Sequence, residues 1–174
     1  MTACTLYPPM RLVYALALTA LLAGCASSSH SLAPDSSAVP VNETAAVSET
    51  TARFFLAMAA RDSTALLGLL HPHAVLVAIG SDGVAHVESE SIRAWVQSVA
   101  RSVEPWRERF LEAPRVEVNG ALATVWARYD FHDGDQFSHC GTDAFQLVRD
   151  GGSWRLLVVT FTIESEGCAP SPVP

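Results

Sequence analysis

The sequence predicts an α+β fold in which three N-terminal helices pack on a curved, mainly antiparallel sheet. Three observations carry this expectation. In the first 100 or so residues, after an N-terminal apolar run, apolar positions recur at helical spacing. After Pro105 the period changes to two, as it does in half-buried strands. Asn119-Gly120, Asp133-Gly134 and Asp150-Gly151-Gly152 are the residue pairs that tight hairpins demand, because their backbones tolerate positive φ. Helices first and a meander after them place the helices on one face of the sheet.

Val47, Thr51, Phe54 and Met58 form one stripe of an amphipathic helix that Arg61-Asp62 ends. Asp62 suits the N-cap of a second, short helix with Leu66, Leu67 and Leu70 facing inward, and His71-Pro72 stops it. Residues 74–79 are β-prone, and Ser81-Asp82-Gly83 turns the chain into 84–87. A third helix starts near Ser89, buries Ile92, Trp95, Val96 and Val99, and has Glu88 and Glu90 at its positive end. Four strands follow, at 106–118, 121–131, 137–149 and 153–164.

The N-terminus reads differently. Arg11 precedes an apolar run over 12–22 that leads into Ala23-Gly24-Cys25, the parts of a secretory signal. The run is too short to span a bilayer, which takes about 20 apolar residues. Leu22-Ala23-Gly24-Cys25 resembles the lipobox of bacterial lipoproteins. That resemblance implies cleavage before Cys25, diacylglycerol on its sulfur and a further acyl chain on the new N-terminus; several chains together anchor stably. An ordinary secretory signal with a chance cysteine is the alternative. Ala26, rather than Asp, after the cysteine implies by the same resemblance export to the outer membrane if the bacterium is Gram-negative. The expected plan is a signal peptide at 1–24, the lipidated cysteine and a Ser/Ala/Pro tether at 25–46, a folded domain at 47–166 and a Pro-rich tail at 167–174. The tether spans on the order of 25 Å as a random coil. Met10 is an alternative start to Met1. The expected location is the bacterial cell envelope, with the domain facing the periplasm or the exterior and the membrane reached only through Cys25.

Charge narrows the partners. The chain carries 11 basic residues, all arginine, against 18 acidic ones, a formal charge of −7. Nucleic acid and anionic headgroups both require a basic face, so neither is an expected partner. No Gly-rich phosphate loop or nucleophile elbow occurs, and no cofactor is expected. His71 and His73 have no evident third ligand, so no metal is expected. His86 and His132 are expected near solvent at strand ends. Of four cysteines, Cys4 leaves with the signal and Cys25 takes lipid. Cys140 and Cys168 remain, either bonded to each other in an oxidising compartment or independent, one in a strand and one in the tail.

Phe54-Phe55-Leu56-Ala57-Met58-Ala59-Ala60-Arg61-Asp62 runs into Leu69-Leu70-His71-Pro72-His73-Ala74. Later come the strand from His139 to Arg149 and the turn and strand Asp150-Gly151-Gly152-Ser153-Trp154-Arg155-Leu156. In this order, over 47–164, these segments resemble the nuclear transport factor 2-like superfamily, which includes the SnoaL-like polyketide cyclases. The resemblance implies a cone-shaped fold with a pocket between the helices and the concave face of the sheet. It also implies that a homodimer is common, and it is silent on catalysis, because the fold hosts enzymes and non-enzymes.

With Asp133-Gly134 as a two-residue turn, His132 opposes Asp135, Arg128 opposes His139 and Thr124 opposes Asp143. Trp126, Arg128 and Asp130 then share a face with His139, Asp143 and Phe145, and the turn at Gly151-Gly152 adds Trp154, Leu156, Val158, Thr160 and Thr162. This face mixes apolar and polar groups and is assigned to the pocket. A one-residue slip would reverse the assignment. On it, His139 is an acid/base candidate, Asp143 a base whose pKa an apolar cone would raise, and Arg128 a clamp for a carboxylate or enolate. Trp126, Phe145, Trp154 and Thr160 are the expected ligand-lining residues. The competing reading makes these charges structural ion pairs and His139 a core histidine. The expected function is a lipid-anchored domain that binds a small, partly apolar ligand, or a partner. The alternative is a SnoaL-like hydro-lyase, isomerase or cyclase using His139 or Asp143 as base.

Overall fold

The structure, a computed structural model, describes residues 41–88 and 91–169. Cys25, the signal and the tether up to residue 40 lie outside them.

Helix α1 spans Val41–Ala59 and so begins earlier than the expected domain boundary at 47. A tertiary contact explains the extra turn. Glu43 accepts a hydrogen bond from Trp154 Nε1 at 3.0 Å and pairs with Arg149, whose guanidinium lies 4.9 Å from the centre of the Trp154 ring. A carboxylate in the first turn also suits the positive end of the helix. Helix α2, Ser63–Leu69, is capped by Asp62, which accepts from the Ala65 amide at 2.9 Å. Helix α3, Ile92–Arg101, is capped by Ser91 and buries Ile92, Trp95, Val96 and Val99 as the spacing predicts.

Strand β1 runs Leu70–Ile79 and starts directly after α2, four residues before the expected run at 74. Its register on the neighbouring strand shifts between Leu70 and Val75, which accommodates Pro72. Strand β2 is Ala85–Val87. The expected long strand at 106–118 is instead two, β3 at Trp106–Phe110 and β4 at Arg115–Asn119. Pro114 sits in the break and has no amide hydrogen to give a ladder. Both pieces pair with β5, Leu122–Asp133, at opposite ends of it. Strands β6, Gln136–Asp150, and β7, Ser153–Thr162, complete the meander.

The sheet runs β2-β1-β7-β6-β5-β3, with β4 beside β5, and all pairings are antiparallel except β1 with β7. The core lies between its inner face and the helices. Phe145, 1 % exposed, is at its centre, with the rings of Phe54, Phe55 and Phe110 at 6.2, 6.0 and 6.1 Å. This is an α+β domain with helices on one face of a mostly antiparallel sheet.

Two register details decide which side chains face the helices. The β5–β6 turn is built on Gly134-Asp135, with Asp133 opposite Gln136, not on Asp133-Gly134. Residues outside the hairpin select it: the Gly134 amide donates to the Pro105 carbonyl, and Arg107 donates to Gly134 O and to Asp135 Oδ1 at 2.7 Å. Between Phe131 and His132 the pairing then slips again, leaving Ser138 as an extra residue on β6. Arg128 consequently faces Thr142 and not His139, and Phe131 takes the place opposite His139. A second irregularity, between Gln146 and Leu147, changes the phase of β7. Trp154 and Leu156 point inward before it, and Val159 and Phe161 after it.

Cys140 and Cys168 are bonded, with Cα atoms 5.8 Å apart. The bond holds the segment after β7 against β6, where Cys140 and Glu164 form a further antiparallel bridge.

Candidate functional site

A cavity of ≈290 Å³ opens between α1, α3 and the inner face of the sheet. Phe54 and Met58 of α1, Trp95 of α3, and Trp106, Phe131 and Phe161 of the sheet form its apolar wall. Phe54 and Trp95 stack with centroids 5.9 Å apart and planes 18° from parallel, which closes the helix side.

The polar groups in this wall come from three strands. Glu108 of β3 and Asp143 of β6 are hydrogen-bonded to each other. Asp143 is 1 % exposed, and its Oδ2 has no hydrogen-bond partner. Burial is the main cause that lifts both carboxyls. Glu108 is pushed up to about 7 by desolvation, against the lowering effect of the bond to Asp143, with the charge of Asp130 adding to the rise. Asp143 is raised well above the ordinary aspartate range by desolvation, and then by the charge and hydrogen bond of Glu108. Two neighbouring carboxyls, Asp143 buried and Glu108 half-buried, hold a proton between them, because the doubly ionised state is the costly one.

His139 lies on the same wall, its ring stacked on Phe131 at 4.9 Å and edge-on to Tyr129 at 5.8 Å. Burial lowers its pKa, so the imidazole is neutral at neutral pH. Its Nδ1 is 2.9 Å from Ser138 Oγ. Tyr129 donates its hydroxyl proton to the Thr162 carbonyl at 2.8 Å, and its pKa is raised, first by burial and then by Glu108, Asp143 and Glu164. A phenol so committed braces β5 against β7 and does not serve as a proton donor to a ligand.

His139 and Asp143 thus line the cavity. Several companions expected beside them do not. Arg128 lies on the outer face, 3.6 Å from Glu164 and within 3.7 Å of the Cys140 sulfur, because of the shifted β5–β6 register. Trp126 is on the same outer face and 58 % exposed. Thr160 opposes Ala144 there, since the irregularity at Gln146/Leu147 turned its side chain outward. Trp154 and Phe145 do point inward, but Trp154 sits under the start of α1 and Phe145 in the aromatic core, so neither lines this cavity. Asp130 is buried and held by Arg109 of β3 at 3.2 Å, a structural ion pair of the kind the competing reading expected. His132, expected near solvent, is 1 % exposed: it lies on the sheet face opposite Phe131 and Asp133, with its ring 5.6 Å from that of Phe137. His71 and His73 have ring centres 5.6 Å apart, and among the described residues no three His, Cys, Asp or Glu side chains are placed to hold a metal.

The residue that sequence reasoning missed is Glu108. It lies in Trp106-Arg107-Glu108-Arg109-Phe110, where alternation puts Trp106, Glu108 and Phe110 on one face. That pattern was legible and marks Glu108 as an acid among aromatics; only the sheet order brings it to Asp143. One prediction separates the two faces. Trp126→Ala and Arg128→Ala will each change stability by no more than about 0.5–1 kcal/mol and leave cavity binding unchanged. Urea titration and ligand calorimetry check this, and a loss of binding in either variant would return the outer face to consideration.

Residues 42–162 match the model of the family described as "Putative lumazine-binding". No curated protein is significantly similar to the chain. Solved structures are similar in fold. A nuclear transport factor 2 (NTF2-like) superfamily protein from Salmonella enterica serovar Typhimurium is 14 % identical with a TM-score of 0.55, over 75 % of this chain and 96 % of that one. An NTF2-like protein from Shewanella baltica OS155 is 20 % identical with a TM-score of 0.53, over 76 % and 98 %. A protein with a cystatin-like fold from Nostoc punctiforme is 15 % identical with a TM-score of 0.57, over 72 % and 94 %. At these identities the likeness shows the fold alone, while the family match covers most of the chain and all of its elements from α1 to β7. The cone seen here, helices closing a cavity on the inner face of the sheet, is thus that of the nuclear transport factor 2-like fold, and the chain belongs to the lumazine-binding-like family within it.

Proposed function

We propose that this protein is a lipid-anchored envelope domain that binds a small, partly apolar molecule in the cavity between α1, α3 and the sheet. The observation that carries the reading is Asp143, a residue of the aromatic-walled cavity whose Oδ2 is a buried acceptor without a partner. An orphan of this kind costs about 1–3 kcal/mol, and a ligand donor placed on it recovers that cost. Apolar walls with a few convergent polar groups are the ordinary make-up of a small-molecule site. The description of the family as lumazine-binding supports a small-molecule ligand. The anchor rests on the sequence Leu22-Ala23-Gly24-Cys25 after an apolar run. On this reading the outer sheet face, where Trp126 is 58 % exposed, is the surface available to a homodimer.

Native mass spectrometry of the full-length chain tests the pocket. A co-purifying small molecule is expected, and it should be lost in Ser138→Trp, which blocks the cavity from an exposed position on its wall. A clean apo mass in every preparation, or a ligand that Ser138→Trp retains, would sink the reading. For the anchor, metabolic labelling with an alkyne fatty acid should mark the wild-type chain and not Cys25→Ala. An unlabelled wild type, soluble after cell fractionation, would remove the lipid from the account.

A second reading is favoured by the raised pKa of Asp143. A carboxyl poised in this way can move a proton on a bound carbon acid, with Glu108 or neutral His139 taking or returning it. The co-purified molecule, incubated in heavy water, would then exchange a carbon-bound hydrogen with the wild type and not with Asp143→Asn. Absence of exchange in the wild type leaves binding as the whole function.

A further inference from the structure

Four carboxyl groups line the cavity. Glu88 and Asp133 are exposed at its solvent end, and Glu108 and Asp143 lie deeper. No arginine lines it among the described residues. The arginines of the adjoining strands are turned to other acids: Arg107 to Asp135, Arg109 to Asp130 and Arg128 to Glu164. None of the four cavity carboxyls belongs to an ion pair among the described residues. The basic side chain on the wall is His139, which burial keeps neutral.

This charge pattern is independent of the second observation. Asp143 is 1 % exposed, and its Oδ2 is buried with no hydrogen-bond partner. The rings of Trp95, Trp106 and Phe131 line the same space. An anion entering it would meet like charge in a poorly screened site. A neutral donor satisfies Oδ2 and leaves the remaining carboxylate charge unmatched. A protonated amine answers all three features: its N–H donates to Oδ2, its charge offsets the acids, and its neighbouring carbons lie against ring faces that attract cations.

We infer that the cavity is specific for an organic ammonium, a protonated amine carried on a flat apolar body. The inference rests on the reading of the cavity as a small-molecule site and names the class of molecule it takes.

Isothermal titration of the full-length chain in nonionic detergent with three probes of one shape tests it. Tryptamine carries the ammonium, tryptophol a neutral hydroxyl and indole-3-propionate a carboxylate. Tryptamine is expected to bind at least about tenfold more tightly than tryptophol, with no measurable binding of indole-3-propionate. Asp143→Asn should cost tryptamine at least about tenfold and move tryptophol by no more than about threefold. Should Asp143→Asn fail to fold, the exposed double variant Glu88→Gln/Asp133→Asn keeps the test, with tryptamine weakened about threefold at low salt and tryptophol unmoved. Tryptophol or indole-3-propionate binding as tightly as tryptamine would overturn the ammonium and leave the pocket standing. Failure of all three to bind overturns the ammonium as well; the pocket falls with it only if native mass spectrometry also finds no ligand.

Discussion

Gly141→Ala will cost the domain at least about 3 kcal/mol and is expected to abolish soluble expression. Gly141 sits on β6 opposite Tyr129, where a Cβ would come 1.9 Å from the Thr162 carbonyl oxygen and 2.8 Å from Tyr129 Cε1. The obstacle is backbone, so no rotamer change relieves it. The same carbonyl accepts the Tyr129 hydroxyl at 2.8 Å, so the missing side chain is what lets β5, β6 and β7 close at this point. Gly68→Ala is the control. Nothing lies within 4 Å of its Cβ position, it is helical, and alanine there should be neutral or stabilising by up to about 1 kcal/mol. Urea denaturation of the two variants side by side makes the comparison. A Gly141→Ala protein as stable as the wild type would mean that β6 and β7 do not approach as described.

Stability will fall as pH rises from about 4.5 to about 7, by on the order of 2 kcal/mol once the solvent reaching Glu108 through the cavity is allowed for. The sign follows from proton uptake. Glu108 ionises at about 4.5 when unfolded and at about 7 when folded, so in that window the native state holds more protons. Its contribution is complete below pH 4.5 and is lost as pH passes 7. Asp143, raised in the same direction, extends the loss to higher pH, and the raised Tyr129 adds to it in strong alkali. His139 opposes them. Its lowered pKa makes the native state bind fewer protons below 6.5, so its contribution grows as pH rises toward that value. The remaining charged groups are Glu88 and Asp133 at the solvent end and Asp130 behind the sheet; α1, α3, β1 and β7 present Phe54, Met58, Trp95, Leu76 and Phe161, which do not titrate. Melting temperatures from pH 4 to 8 should therefore slope downward in the wild type and flatten in Glu108→Gln, with the variant the more stable of the two at pH 8. A wild-type profile that rises through pH 4.5 to 7, or one that Glu108→Gln leaves unchanged, would show that the carboxyl pair is not buried.

What the sequence determined was local or additive. Helical spacing identified α1 and α3 and their buried faces, Asp62 the cap of α2, and period-two runs with Gly-containing turns the strands of the meander. Composition excluded a basic face. Cys140 and Cys168 were identified as the pair available for bonding, and His139 and Asp143 as groups able to move protons. Each of these depends on residue type and on neighbours a few positions away. Register belongs to a different class, because a slip of one residue exchanges the faces of a strand. The turn at Gly134-Asp135 was chosen by Arg107 and Pro105 from outside the hairpin, and Ser138 added a further residue. The turn moved each partner by two residues and kept the faces; the extra residue Ser138, a shift by one, sent Arg128 and Trp126 to the outer face and brought Phe131 beside His139. Glu108 reached Asp143 only because β3 pairs with β5 and β5 with β6, a long-range arrangement that no local spacing encodes. The sequence thus determined which groups could do chemistry, and the tertiary structure alone decided which of them meet, because side-chain facing in a sheet is set by pairing across strands and not along them.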